Sequence, residues 1–124
     1  MRLKLLRAAS GRKLTTALTD EGLAASQAPL RRILERARAL GARPAVVLFP
    51  RQEEVEDPAI DAAHHARMAS FVRGLGAPCV DLHAVWRAAP APGRYLEQDP
   101  VHPTAKGYDE VAAEVAKALR QAPE

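Results

Sequence analysis

One cysteine, three serines and no asparagine are spread over 124 residues. The lone Cys79 excludes an internal disulfide and a metal site built from several thiolates. Its apolar setting, APCVDL, suits a small buried hydrophobe. Aromatic residues are only 4% of the chain, too few to interleave with basic residues as a stacking surface for nucleic acid requires. No apolar run approaches the roughly 18 residues of a membrane span. The N-terminal LKLLRAAS is too short and too broken by charge for a secretory signal, whose apolar core runs about 7–15 residues. As it stands, the chain is expected in the cytoplasm.

What is present is ordinary globular material, 48% hydrophobic and 27% charged, with the length of one domain at most. The net charge of +3 is unevenly placed, because Arg2, Lys4, Arg7, Arg12 and Lys13 all precede the first acid, Asp20. A solvated basic helix is the plain reading of that segment. A small basic arm for nucleic acid or an anionic surface is the alternative, and nucleic acid is the less favoured partner.

Periodicity organises the rest. Leu30, Ile33, Leu34, Ala37 and Leu40 recur at helical spacing, with Gly41 placed to end the helix. PAVVLFP, from Pro44 to Pro50, reads as a strand buried on both faces. Asp57-Pro58 resembles an N-cap with proline at the first helical position. From there Ile60, His64, Met68, Phe71, Val72 and Leu75 follow one face as far as Gly76. APCVDL, from Ala77 to Leu82, is a second buried strand. A proline-rich stretch precedes a final helix whose predicted apolar face is Tyr108, Val111, Ala112, Val115 and Leu119. Strand, helix, strand in this order predicts a parallel pair joined by a crossover. Two strands make a small sheet, so the chain reads as part of a larger α/β domain.

Chemistry concentrates in YLEQDPVHPTAKGYDE. Asp99 and His102 stand three apart in a loop beyond the second strand, where open α/β sheets place functional groups. Pro100 and Pro103 restrict the backbone between and after them. A carboxylate on one imidazole nitrogen fixes the tautomer and leaves the other nitrogen free as a base. An ordinary turn would place the same two residues together, and spacing alone does not choose. Of the adjacent His64 and His65, the first shares the face of Ile60 and Met68 and is expected to pack. The second is expected to be exposed. Pointing about 100° apart on a helix, they do not readily share a metal ion. Asp81 is expected to cap, with His83 close by.

The block Asp99-Pro-Val-His102-Pro-Thr104-Ala-Lys-Gly107-Tyr108, leading into an alanine-rich helix, resembles the C-terminal block of the SGNH (GDSL-type) hydrolases. ARALGARPAVVLFP and FVRGLGAPCVDLHAVW resemble the segments that precede it in that family. The resemblance covers most of the chain from about Leu30. It implies a partial three-layer, flavodoxin-like parallel sheet with flanking helices, the N-terminal half missing, in a single incomplete domain spanning 1–124. It implies hydrolysis of an ester through an acyl-enzyme, with no metal or organic cofactor. Carried over residue by residue, Asp99 orients His102 and His102 deprotonates a serine.

The family's nucleophile and oxyanion blocks have no counterpart here. Ser10 lies in AASGRK without a preceding strand, Ser26 where a helix begins, and Ser70 inside a helix. The expectation is thus a C-terminal portion of an ester hydrolase whose serine comes from elsewhere, with self-association through its unpaired surfaces. A non-catalytic remnant serving as an interaction module is the rival reading.

Overall fold

The computed structural model describes residues 19–122. The basic residues Arg2 to Lys13 and Ser10 lie outside the described residues. Helix α1 spans Asp20–Ala39, opened by Thr19, whose hydroxyl accepts the Gly22 N–H at 3.0 Å. Asp20 and Glu21 in its first turn and Arg36 and Arg38 in its last complement the helix dipole. The helix therefore begins well before Leu30. Gly41, at φ +81°, takes the left-handed conformation that stops it.

Strand β1 is Val46–Leu48, α2 is Gln52–Glu56, α3 is Ala63–Gly74 and β2 is Cys79–Asp81. The two strands pair in parallel, with Val46 opposite Cys79, Val47 opposite Val80 and Leu48 opposite Asp81. The predicted parallel pair is present, each strand shorter than its apolar run. Helix α4, Leu82–Ala88, starts at once, because the Asp81 carboxylate accepts the Ala84 N–H. Helix α5 is Ala105–Gln121, capped by the Thr104 hydroxyl on the Gly107 N–H.

Side chains alternate across a strand, so neighbours on β2 enter different cores. Cys79 joins Leu34, Ala69, Val72 and Ala77, between the sheet and helices α1 and α3. Val80 joins Leu82, Trp86 and Val111, between the sheet and helices α4 and α5. The architecture is therefore mixed α/β, a short parallel sheet covered on both faces. No helix among the described residues is long and apolar enough to cross a membrane.

Three local expectations are corrected. Asp57 does not cap a helix at Pro58; it ends α2, and its carboxylate accepts the Ala59 N–H in a tight turn. The next helix waits until Ala63. Its buried residues are His65, Ala69 and Val72; of the expected face only Val72 is buried, with Phe71 and Leu75 packed partly buried against the same cluster. On α5, Val111 is buried while Tyr108, Ala112 and Leu119 are exposed, so that the helix turns Gly107 inward.

Candidate active site and a second polar cluster

The loop from Ala89 to Thr104 is held by one buried arginine. Arg94, only 7% exposed, donates to the carbonyls of Trp86 (3.1 Å) and Ala89 (2.7 Å) and to Glu110 (2.6 Å). Its guanidinium also stands 5.4 Å from the centre of the buried Trp86 ring, a favourable cation–π separation. A charge this deep is tolerated because its donors find partners, one of them anionic. Tyr95 packs edge-on against Trp86 and donates its hydroxyl to the Pro50 carbonyl beyond β1.

From Tyr95 the chain makes a closed excursion. The Leu96 N–H meets the His102 carbonyl at 3.0 Å, and the Thr104 N–H meets the Arg94 carbonyl at 2.8 Å. At the tip, Gln98 adopts φ +61°, uncommon for a residue with a side chain. The Gln52 N–H donates to the Pro100 carbonyl, tying the tip to the start of α2.

Within this frame Asp99 and His102 meet. Asp99 Oδ2 lies 2.7 Å from His102 Nδ1, and Oδ1 accepts the N–H groups of Val101 (3.0 Å) and His102 (3.1 Å). The Val101 N–H, then the His102 ring, then the His102 N–H hold the Asp99 carboxyl below its ordinary value. An ionised carboxylate accepts only, so neutral His102 carries its proton on Nδ1 and presents a lone pair at Nε2. The His102 side chain is 66% exposed, and Nε2 has no hydrogen-bond partner among the described residues.

The described serines are elsewhere. Ser26 donates to the Gly22 carbonyl within α1, and Ser70 lies on the exposed side of α3. No hydrogen bond joins either to His102. Thr104 spends its hydroxyl on the helix cap and on the Gly93 carbonyl.

A second group of polar side chains gathers where α2 meets α3, and here the sequence reading is overturned. His65 is buried and His64 is the more open of the two. Their rings converge: His65 Nε2 lies 3.0 Å from Glu54 Oε2, and His64 Nε2 lies 3.4 Å from Glu54 Oε1. Adjacent positions reach one group because the carboxylate comes from outside their helix and offers each ring its own oxygen. His83, stacked on His65, bonds the Glu54 carbonyl through Nε2 at 3.0 Å.

Burial pushes the Glu54 carboxyl up. The Arg51 N–H, at 2.7 Å, the His65 ring and the charges of His65 and His64 outweigh it and bring the group below its ordinary value. Burial depresses His64, with repulsion from His65 adding to the effect. Glu54 carried no distinguishing signal in the acidic run RQEEVED. Arg94 likewise carried none within the proline-rich stretch before the last helix.

The profile of the GDSL-like lipase/acylhydrolase family matches residues 16–110, a span that contains both Asp99 and His102. No curated protein and no solved structure matches the chain. The family match supports a hydrolase-type function. Covering well over half of the sequence, and agreeing with a mixed α/β fold, the match establishes that the chain belongs to the GDSL-like lipase/acylhydrolase family.

Proposed function

We propose that this chain carries the acid and base of a serine ester hydrolase, with Asp99 orienting His102 and His102 Nε2 deprotonating a serine outside the described residues. In this reading the serine oxygen attacks the ester carbonyl, and His102 takes its proton. The imidazolium then returns a proton to the departing alkoxide, leaving an acyl-enzyme. Water, deprotonated by the same nitrogen, releases the acid. No metal or organic cofactor enters these steps. The chain is read as the C-terminal portion of one such domain, its substrate an ester.

The observation that carries the proposal is the 2.7 Å contact at Nδ1 with Nε2 left accessible. The test is turnover of an activated short-chain ester by the polypeptide that includes the nucleophile, with fluorophosphonate labelling to locate its serine. His102→Ala is expected to lower turnover by about 100- to 10,000-fold, the usual share of a general base. Label is expected on a serine other than Ser26 or Ser70. Turnover unchanged in His102→Ala would overturn the role of the pair, and label on Ser26 or Ser70 would overturn the placement of the nucleophile.

A further inference from the structure

The geometry points to a divalent metal site at Glu54, His64 and His65, suited to Zn²⁺ and its borderline relatives and separate from the Asp99–His102 pair. One ligand atom from each residue lies within 4.8 Å of the other two. Zn²⁺ takes nitrogen and oxygen ligands at about 2.0–2.2 Å, which sets two ligands on one ion roughly 3.3 Å apart. Each Glu54 oxygen stands at about that distance from one ring, Oε1 3.4 Å from His64 Nε2 and Oε2 3.0 Å from His65 Nε2. His64 is the more exposed of the two histidines and has the more freedom to adjust.

Two imidazoles and one carboxylate form a donor set that favours zinc over magnesium or calcium, which prefer oxygen alone. The surroundings also hold the ligands in place. Arg51 N–H anchors Glu54 Oε2, and His83 and Arg87 bond the Glu54 carbonyl, fixing the backbone that carries the carboxylate. Supporting hydrogen bonds of this kind orient metal ligands in general.

With an ion bound, α2 would be clipped to the first turn of α3, and the remaining coordination position would face solvent on the His64 side. The shared carboxylate already makes hydrogen bonds in the metal-free protein. A neutral ring that donates from Nε2 to Glu54 would therefore carry its one proton on Nδ1 once Nε2 binds the ion, a change of tautomer with no net proton release.

The experiment is titration of the untagged, metal-stripped chain with Zn²⁺ by calorimetry and with Co²⁺ by visible absorption, which reports coordination geometry. One ion per chain is expected, with the intense cobalt bands of a four-coordinate site. His64→Ala and Glu54→Gln should each weaken binding by about 100-fold or more, at least the loss seen for supporting residues. Circular dichroism of the metal-free variants establishes that they are folded, and His64, partly exposed, is the safer of the two. His102→Ala should bind like the wild type. Absence of saturable binding, equal binding by folded His64→Ala, or loss of binding in His102→Ala would each overturn the assignment.

Discussion

Replacing Gly107 with alanine should destabilise this protein, although glycine to alanine inside a helix ordinarily does the reverse. In an unencumbered helix the change is worth about 0.8–1.0 kcal/mol in favour of alanine. At Gly107 an added Cβ would lie 2.4 Å from the Arg94 carbonyl oxygen and 2.8 Å from Pro103 Cβ. The oxygen is backbone and has little freedom to retreat. It accepts the Thr104 N–H, and its own residue is pinned through Trp86, Ala89 and Glu110.

Overpacking of this kind costs about 1–3 kcal/mol. Stretching the Thr104 bond adds about 1 kcal/mol. Set against the helical gain, the net loss is about 1–3 kcal/mol, or roughly 5–20 °C in Tm for a domain of this size. Gly74, with nothing within 4 Å of a Cβ built on it, is the matched control. Gly74→Ala should be neutral or stabilising by up to about 1 kcal/mol. Thermal and urea unfolding of both variants decide the matter. Gly107→Ala melting at or above the wild type would refute the claim that the loop sits against this helix. The same variant should also shift the His102 NMR signals, since Arg94 to Thr104 must move as a body.

Three further outcomes are expected. Nitrogen-detected NMR should show neutral His102 protonated at Nδ1, a preference lost in Asp99→Ala; equal tautomer populations in both proteins would reduce the pair to a turn. His64, facing His65, Glu54, Asp61 and His83, has its folded-state pKa depressed, so the unfolded chain binds the proton more tightly. Its contribution is present above the unfolded value near 6.5 and is lost as pH falls below it; urea midpoints between pH 7.5 and 5 should drop less in His64→Gln than in wild type, and identical slopes would contradict this. Each strand is paired on one edge among the described residues, and Ile33, Leu40 and Phe49 are exposed. Light scattering should therefore find the isolated chain associated, and a compact monomer that melts cooperatively would argue against it.

Much of the fold was legible because it rests on large apolar periodicities. The two strands, their parallel pairing and the helix between them follow from runs such as AVVLF and APCVDL, where nearly every residue is apolar. The Asp99-x-x-His102 contact was legible because three residues of a proline-restricted turn determine it. What failed was decided by a competing local turn or at longer range. Asp57 has a helix-capping side chain, but its carboxylate serves the turn at Ala59 instead. His64 shares the face of the large Ile60 and Met68, so size favoured its burial; the core instead took the face of His65, Ala69 and Val72. Glu54 and His65 are eleven residues apart and meet only once α2 is folded back on α3.

The ties at the loop tip carry a consequence for how the Asp99–His102 contact comes into being. Its inner geometry is local, so a peptide containing little more than this turn would already bring carboxylate and imidazole together. Its aim is not local: the Tyr95 hydroxyl reaches Pro50 across 45 positions, and Gln52 reaches Pro100 across about as many. Closing such wide circuits costs chain entropy before any contact repays it, and contacts of this span form slowly. During folding the contact and its orientation are therefore separable in time. The contact can exist early, while the direction in which Nε2 points is fixed only when strand β1 and the loop close on each other.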